Sequence, residues 1–246
     1  MSLPVHLVPN LAQTSVGGTV EVEGDEAHHA VVVRRLEVGE RVVLTDGRGR
    51  SVTGPITSTG KRRFTVEVAD LTDSPAPAPD VTVVQALPKG DRGERAVEML
   101  TEVGVARIVP WAAERSVAVW RGERATKGHA KWTATAREAA KQARRAWFPV
   151  VDGLTDTTEV VELLASADLA VVLHEDGAIP MASLTVPESG SIVVVVGPEG
   201  GLAPAELAAF AEVGVESVHL GAEVLRTSTA GVAAVAAVLS RTRRWA

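Results

Sequence analysis

The sequence feature that most restricts the fold is an unbroken apolar run followed by a glycine-rich loop. Residues 192–196 are all Ile or Val, and Gly197-Pro-Glu-Gly-Gly201 follows them directly. A strand without polar positions is covered on both faces, which is typical of a parallel sheet between helices. The next segment predicts a helix, because Pro204 fits a first helical position and Gly214 a position just past a helix end. The run therefore predicts an α/β domain with a ligand site at the carboxyl edge of its sheet.

Strands and helices alternate throughout residues 81–246. Apolar and β-branched runs predict the strands, and amphipathic stretches between them predict the helices. Asp91 is expected to cap one helix, and Thr157 or Thr158 to begin another. Predicted strands cover 81–87, 106–111, 169–174, 192–196 and 217–220, and predicted helices cover 92–103, 124–145, about 157–167, 204–212 and 229–244. This alternation indicates a mostly parallel sheet.

A proline-rich segment separates this region from a different first part of the chain. Between Asp73 and Asp80 a proline occupies every second position three times, which favours an extended linker. Before it, short strands are predicted at 19–22, 41–45, 51–56 and 64–68, with a hairpin turn at 46–49. Residues 25–35 resemble a short helix that carries His28, His29, Arg34 and Arg35. The first 72 residues therefore predict a small module resembling a β-barrel.

Composition excludes several kinds of chemistry. The chain has no cysteine, so disulfides, thiolate zinc sites, cysteine-ligated iron–sulfur clusters and a cysteine nucleophile are all excluded. No stretch approaches the roughly 20 apolar residues of a membrane span. The first ten residues lack the pattern of a signal peptide, so a cytoplasmic location is expected.

The charge distribution favours contact with nucleic acid although the net charge is −6. From Arg115 to Arg145 there are nine Lys or Arg and two Glu, whereas residues 151–246 hold four basic and thirteen acidic side chains. A basic segment in an acidic protein can bind phosphates along a stripe. A solvated helix face is the alternative interpretation of the same charge run.

Three strand ends carry candidate site residues. The loop Gly197–Gly201 has neither dinucleotide-binding nor P-loop spacing, and it could be only a tight turn. Residues 220–230 carry a glycine and then Arg226-Thr-Ser-Thr229, which could bind a ligand or only cap a helix. His174-Glu175-Asp176 could suggest a metal, but a hydrogen-bonding histidine is the favoured interpretation. His28-His29 likewise lacks a partner in the sequence.

Several motifs occur in one order and together cover essentially the whole chain. They are Leu87-Pro-Lys-Gly-Asp-Arg92, Thr101-Glu-Val-Gly104 with Pro110 and Glu114-Arg-Ser116, Gln142-Ala-Arg-Arg145 with Pro149, Gly197-Pro-Glu-Gly-Gly201, and Leu220-Gly with Leu225-Arg-Thr-Ser-Thr-Ala230. Taken together, these motifs resemble the RsmE family of the SPOUT superfamily, which methylates N3 of a uridine in 16S rRNA.

The resemblance implies an α/β fold of the SPOUT type, with a trefoil knot, a mostly parallel sheet and helices on both faces. It further implies a PUA-like β-barrel for RNA binding over residues 1–72, a linker over 73–80 and a methyltransferase domain over 81–246. S-adenosylmethionine (SAM) is the implied cofactor, and a homodimer acting on 16S rRNA within the 30S subunit is the implied assembly. No metal and no membrane partner are expected.

The resemblance also implies the site residues. Three knotted loops would bind the cofactor through Leu173, His174, Gly197, Pro198, Glu199, Gly200, Gly201, Leu220, Gly221, Leu225, Arg226, Thr227, Ser228 and Thr229. RNA would contact Arg34, Arg35, Lys89, Arg92, Arg115, Gln142, Arg144 and Arg145. The catalytic candidates are Arg226 and Arg145, either of which could stabilise the negative charge of a deprotonated uridine. No general base is evident.

Two motifs depart from the family pattern. Family members often have Arg-Thr-Glu-Thr where this chain has Arg226-Thr-Ser-Thr229, and Glu-Gln-Cys-Gly-Arg where it has Lys141-Gln-Ala-Arg-Arg145. A catalytic carboxylate is therefore absent at both places. Methylation of another rRNA or tRNA position, and a non-enzymatic role in ribosome assembly, stay open as alternatives.

Overall fold

The computed structural model describes residues 3–245, which form two compact units. The N-terminal unit contains residues 1–76 and 141–148, and the C-terminal unit contains residues 77–140 and 149–246. The segment 141–148 was predicted to belong to the second domain, but its contacts group it with the first unit. The chain therefore passes from one unit to the other three times.

The N-terminal unit is built on a bent, mostly antiparallel sheet. Its strands are β1 (Val5–Leu7), β2 (Thr19–Glu23), β3 (Arg41–Thr45), β4 (Arg50–Gly60), β5 (Arg63–Glu67) and β6 (Asp70–Asp73). The sheet order is β1-β3-β4-β5-β2, and β6 also pairs with β4. The long strand β4 pairs with β3 through its first half and with β5 through its second half, and the register of the β4–β5 pair shifts between Ile56 and Ser58. Thus the four predicted strands are present, and β1 and β6 were not predicted.

A short helical segment packs against this sheet. The predicted helix at 25–35 is in fact α1 (Gly24–His28) followed by one π-helical turn (His29–Val33). Ala27 and Ala30 are fully buried among the valines and leucines of the core. The segment ends at Arg35, whose φ of 55° lies in the left-handed region that usually favours glycine.

The C-terminal unit contains a seven-stranded sheet in which every described strand pair is parallel. The strands are β7 (Asp80–Ala86), β8 (Arg107–Trp111), β9 (Val150–Val151), β10 (Leu169–Leu173), β11 (Ile179–Pro180), β12 (Ser191–Val196) and β13 (Ser217–His219). Their order in the sheet is β11-β13-β10-β12-β7-β8-β9. The central pair β7 and β12 is buried almost throughout, as the continuous apolar runs predict.

Helices cover both faces of this sheet. The helices are α2 (Arg92–Glu102), α3 (Glu123–Gln142), α4 (Thr157–Ser166), α5 (Pro204–Glu212) and α6 (Thr227–Leu239). The core on one face contains residues of α2, α3 and α6, and the core on the other face contains residues of α4 and α5. In the second core the rings of Trp111 and Phe210 pack edge to face, with their centroids 5.8 Å apart. The predicted α/β class with helices on both faces is confirmed.

The starts of α2 and α4 show which side chains cap them. Asp91 does not cap α2 as predicted, because its carboxylate accepts a 2.8 Å hydrogen bond from Arg95 instead. Helix α4 begins at Thr157, as predicted, and is capped by Asp156, whose side chain accepts from Glu159 N at 3.0 Å. Within residues 3–245, no helix combines the length and apolar character that a membrane span requires.

Candidate functional site

Three neighbouring strands of the parallel sheet end at one cavity. Because β13, β10 and β12 are adjacent in the sheet, the loops that follow them meet at its carboxyl edge. The cavity has a volume of about 610 Å³ and is lined by residues of all three loops. This volume falls within the range of small-molecule sites.

Most of the predicted cofactor-binding residues line this cavity. They are Leu173, His174, Gly197, Pro198, Glu199, Gly200, Gly201, Leu220, Gly221, Leu225, Arg226 and Thr227. Arg92 and Arg115, which were predicted to contact RNA, also line it. The cavity further includes Glu175, Asp176 and residues that the motifs did not single out, among them His219, Glu223 and Val224.

The glycine-rich loop after β12 packs against Arg115. A Cβ on Gly200 would lie 3.1 Å from both the Cβ and the carbonyl oxygen of Arg115, so only glycine fits there without displacement. The Arg115 guanidinium in turn donates to the Leu202 carbonyl at 3.3 Å. Gly201 adopts a φ of 72°, which glycine permits without strain. The loop therefore needs glycine for close approach and for its turn.

Glu199 links this loop to the segment that follows β7. Its Oε1 accepts from Lys89 N at 3.1 Å and from the Arg92 guanidinium at 2.9 Å. Burial raises the pKa of the Glu199 carboxyl, but the hydrogen bonds from its own backbone, from Lys89 and from Arg92 outweigh burial and lower it. Glu199 is thus held as an anion at the cavity wall, and the Lys89 side chain does not line the cavity.

Two histidines fix the loop after β10 against β13. His174 Nδ1 accepts from Asp176 N at 3.1 Å, and His219 Nδ1 donates to the Gly177 carbonyl at 2.8 Å. The backbone of the same loop is tied to β13 by His174 N, which donates to the Val218 carbonyl at 3.0 Å. The sequence His174-Glu175-Asp176 did not predict these hydrogen bonds, because His219 lies in a strand distant in sequence.

The loop after β13 leads into the N-terminus of α6. Thr227 is 7% exposed and lines the cavity, yet its hydroxyl has no hydrogen-bond partner among residues 3–245. The Thr229 hydroxyl donates to the Arg226 carbonyl at 3.1 Å, and Ser228 is buried. Ser228 and Thr229, predicted to bind the cofactor, therefore lie outside the cavity lining, whereas Arg226 and Thr227 belong to it.

The other predicted RNA-contacting residues belong to the N-terminal unit. Arg34 and Arg35 follow its π-helical turn, and both are exposed. Gln142, Arg144 and Arg145 lie in the segment 141–148. Arg145, one of two catalytic candidates, is not among the residues that line the cavity, and Arg226 is.

Residues 74–239 match the RNA methyltransferase domain family, and residues 22–69 match the RNA methyltransferase PUA domain family. The parallel sheet and its cavity of three loops therefore belong to the catalytic domain of an RNA methyltransferase. The chain belongs to the family of ribosomal RNA small subunit methyltransferase E, RsmE. It is 43% identical to the Mycobacterium tuberculosis member over 93% of this chain and 89% of that protein. It is 31% identical to the Bacillus subtilis member over 91% of each.

Solved structures agree over both units. A ribosomal RNA small subunit methyltransferase E from Neisseria gonorrhoeae, bound to SAM, is 31% identical with a TM-score of 0.87, covering 97% of this chain and 98% of that one. A protein from Legionella pneumophila described as a methyltransferase, in complex with SAM, is 25% identical with a TM-score of 0.89, covering 98% of this chain and 99% of that one. The family resemblance noted in the sequence is thereby confirmed.

Proposed function

We propose that this protein transfers a methyl group from SAM to N3 of a uridine in 16S rRNA. The observation that carries the proposal is the cavity of about 610 Å³ at the carboxyl edge of the sheet, walled by the loops after β10, β12 and β13. Two SAM-bound structures share this fold over nearly the whole chain. Family membership then selects small-subunit rRNA among the possible substrates.

The cavity residues fit a nucleoside cofactor. The buried Thr227 hydroxyl lacks a hydrogen-bond partner in the described part of the chain and is available to a polar ligand atom. A Cβ on Gly221 would lie 3.7 Å from a carboxylate oxygen of Glu223, which is ordinary van der Waals contact. Backbone groups at the ends of β10, β12 and β13 would hold the adenine, as the resemblance implies. Glu175, Asp176 and Glu223 supply negative charge beside a cationic ligand.

When bound, SAM supplies a methyl group activated by a positively charged sulfur. Catalysis by the protein then consists largely of holding two reactants in line, which can provide roughly 7–11 kcal/mol. Uridine N3 carries a proton, so the anion that forms on its loss needs stabilisation. Arg226 borders the cavity and is our candidate for stabilising the charge on O2 or O4 of that anion. Arg145 is the second candidate.

Recognition of RNA is assigned to charged groups on both units. N3 of uridine takes part in Watson–Crick pairing, so the target nucleotide must be unpaired or extruded. Arg34, Arg35, Arg144 and Arg145 of the N-terminal unit would bind phosphates, and Lys89, Arg92 and Arg115 would contact the RNA near the cavity. The proposal also includes the trefoil knot, a homodimer, the 30S subunit as substrate and a cytoplasmic location.

The decisive experiment is a methyl-transfer assay on 30S subunits that lack the modification. Labelled SAM is supplied, and the labelled nucleoside is identified by mass spectrometry. Label in 3-methyluridine is the expected result. Label in another nucleoside would overturn the uridine assignment and favour another rRNA or tRNA position. Absence of SAM binding would favour the assembly-factor alternative.

Arg226→Ala tests the catalytic role. We expect kcat to fall about 100-fold or more, as for removal of a group that stabilises developing charge, while the melting temperature stays unchanged. Arg243→Ala is the matched control, because Arg243 is exposed and does not line the cavity. Wild-type turnover by Arg226→Ala would remove Arg226 from the active site.

A further inference from the structure

The segment 141–148 is attached to the N-terminal unit at both of its ends. At one end Lys141, the penultimate residue of α3, is only 8% exposed. At the other end, Gly49 N donates to the Ala146 carbonyl at 2.9 Å and Phe148 N donates to the Gly47 carbonyl at 2.8 Å. Arg144 and Arg145 lie between these attachments.

Lys141 is attached through a buried cluster of three charged or polar side chains. Its Nζ contacts both carboxylate oxygens of Glu26 at 3.1 Å, and His6 Nδ1 lies 3.2 Å from Glu26 Oε1. His6 is 1% exposed. Buried charges are stable only when paired, so removal of Lys141 would leave the Glu26 carboxylate without its cationic partner. We call Lys141, Glu26 and His6 the buried clasp.

The second attachment is packed as well as hydrogen-bonded. The Trp147 indole lies over Gly49, where a Cβ would come within 2.8 Å of the ring, and its Nε1 donates to the Ser74 carbonyl at 2.9 Å. Gly47 is covered by Phe148 in the same way, at 3.0 Å. Two glycines of the turn between β3 and β4 are therefore matched to two aromatic residues of the segment.

The loop between the attachments presents an arginine in a demanding backbone conformation. Arg144 has a φ of 52°, in the left-handed region, and its side chain is exposed. Glycine is the usual residue just past a helix end for this reason. The two attachments hold this backbone conformation in place and thereby fix the position from which the charged side chain extends.

We infer that Lys141, through the buried clasp, is a positioning residue for RNA binding by Arg144 and Arg145. The segment 141–148 is thus a working part of the RNA-binding module, although it lies in sequence within the methyltransferase domain. The inference rests on the proposed function, because it takes RNA as the ligand of these arginines.

Lys141→Met in the full-length protein tests the inference. The probe is 16S rRNA within 30S subunits that lack the modification, and binding is measured from 50 to 200 mM salt. We expect affinity to fall about tenfold and KM for the RNA to rise by a similar factor. The salt slope should become shallower by about one for each phosphate contact that is lost. Lys141→Arg, which keeps the cation, should restore binding.

Lys61→Met is the matched control, because it removes one exposed lysine of the same unit. The variant Arg144→Gln with Arg145→Gln should bind more weakly than wild type, and adding Lys141→Met to it should cause no further loss. An additional tenfold loss of affinity on adding Lys141→Met to the double arginine variant would show that Lys141 acts independently of the two arginines, and would overturn the inference. Wild-type binding by Lys141→Met alone would overturn it as well.

A second variant and the activity of the wild-type protein complete the test. If Lys141→Met does not fold, the charge-neutral pair Glu26→Gln with Lys141→Met replaces it, and weakened RNA binding with a shallower salt slope is again the expected result. Wild-type affinity in that pair would overturn the inference. Failure of the proposed function looks different, because the wild-type protein itself would then transfer no label to 30S subunits.

Discussion

Replacing Gly177 by alanine should disturb the cofactor cavity without altering any residue that lines it. Gly177 lies in the loop after β10, and an added Cβ would be 2.5 Å from the carbonyl carbon of Val218 and 2.8 Å from His219 N. Both are backbone atoms of β13, so no side chain can rotate to make room. The contact is roughly 1 Å shorter than normal carbon packing, and the loop must therefore move away from β13.

The cost of that movement can be worked out from the contacts. Overpacking of a fitted site costs about 1–3 kcal/mol, and loss of the 2.8 Å bond from His219 Nδ1 to the Gly177 carbonyl adds about 1 kcal/mol. Because the loop forms one wall of the cavity, about 1.4 kcal/mol of this cost should appear as a tenfold rise in the Kd for SAM. The remainder should lower the melting temperature by several degrees.

Isothermal titration with SAM and a thermal melt measure the two parts. Gly153→Ala is the matched control, because a Cβ there meets nothing within 4 Å and its backbone is not left-handed. We expect Gly153→Ala to behave as wild type in both measurements. Wild-type SAM affinity in Gly177→Ala would refute the role of this glycine in holding the cavity wall.

Two other substitutions follow from buried polar groups. Thr227→Val should raise the melting temperature of the ligand-free protein, because it removes a buried hydroxyl that has no hydrogen-bond partner among the described residues. The same variant should bind SAM more weakly than wild type. A SAM affinity equal to that of wild type, measured by titration, would contradict the assignment of this hydroxyl to the ligand. Burial raises the pKa of Glu26, but the hydrogen bond from His6 and the charge of Lys141 lower it to about 2 from 4.5. Because the folded-state pKa is lowered, this carboxylate contributes stability that is fully present above pH 4.5 and is lost as the pH falls towards 2. Urea unfolding of wild type and Glu26→Gln should therefore differ at pH 7 and converge at low pH, and a difference that does not change with pH would contradict the argument.

Local signals determined those elements that the sequence predicted well. Helix α5 has the predicted bounds, Pro204–Glu212, because proline at its start and Gly214 beyond its end restrict it from both sides. The carboxylate of Glu206 adds a tertiary contact, accepting from Ala203 N and from Glu114 N at 2.8 Å each. The apolar run 192–196 likewise became β12 at the centre of the sheet.

Elements that depend on distant contacts were not predictable in the same way. No local pattern shows that residues 29–33 form a π-helical turn or that 141–148 packs with the first unit. The position of Lys141 among basic residues suggested a solvated or phosphate-binding side chain, whereas it is buried against Glu26.

The candidate site was predictable as a set of loops but not as a set of contacts. Three strand ends with glycine and polar residues indicated the cavity, because parallel strands present their carboxyl ends at one edge. Thr229 was chosen on its motif, yet its hydroxyl bonds to the preceding turn of its own helix. Conversely, Gly177 and His219 join two of the loops, and neither stands in a recognisable motif.

The order in which the chain is synthesised gives the segment 141–148 a further consequence. The N-terminal unit lacks Lys141, Trp147 and Phe148 until residues 77–140 have left the ribosome. At translation rates of roughly 5–20 residues per second, this delay lasts about 3 to 13 s. During that interval Glu26 lacks the Lys141 ammonium, and Gly47 and Gly49 lack the rings of Phe148 and Trp147 that cover them. The first module to be translated is therefore completed only after 64 of the 162 residues of the second have been made.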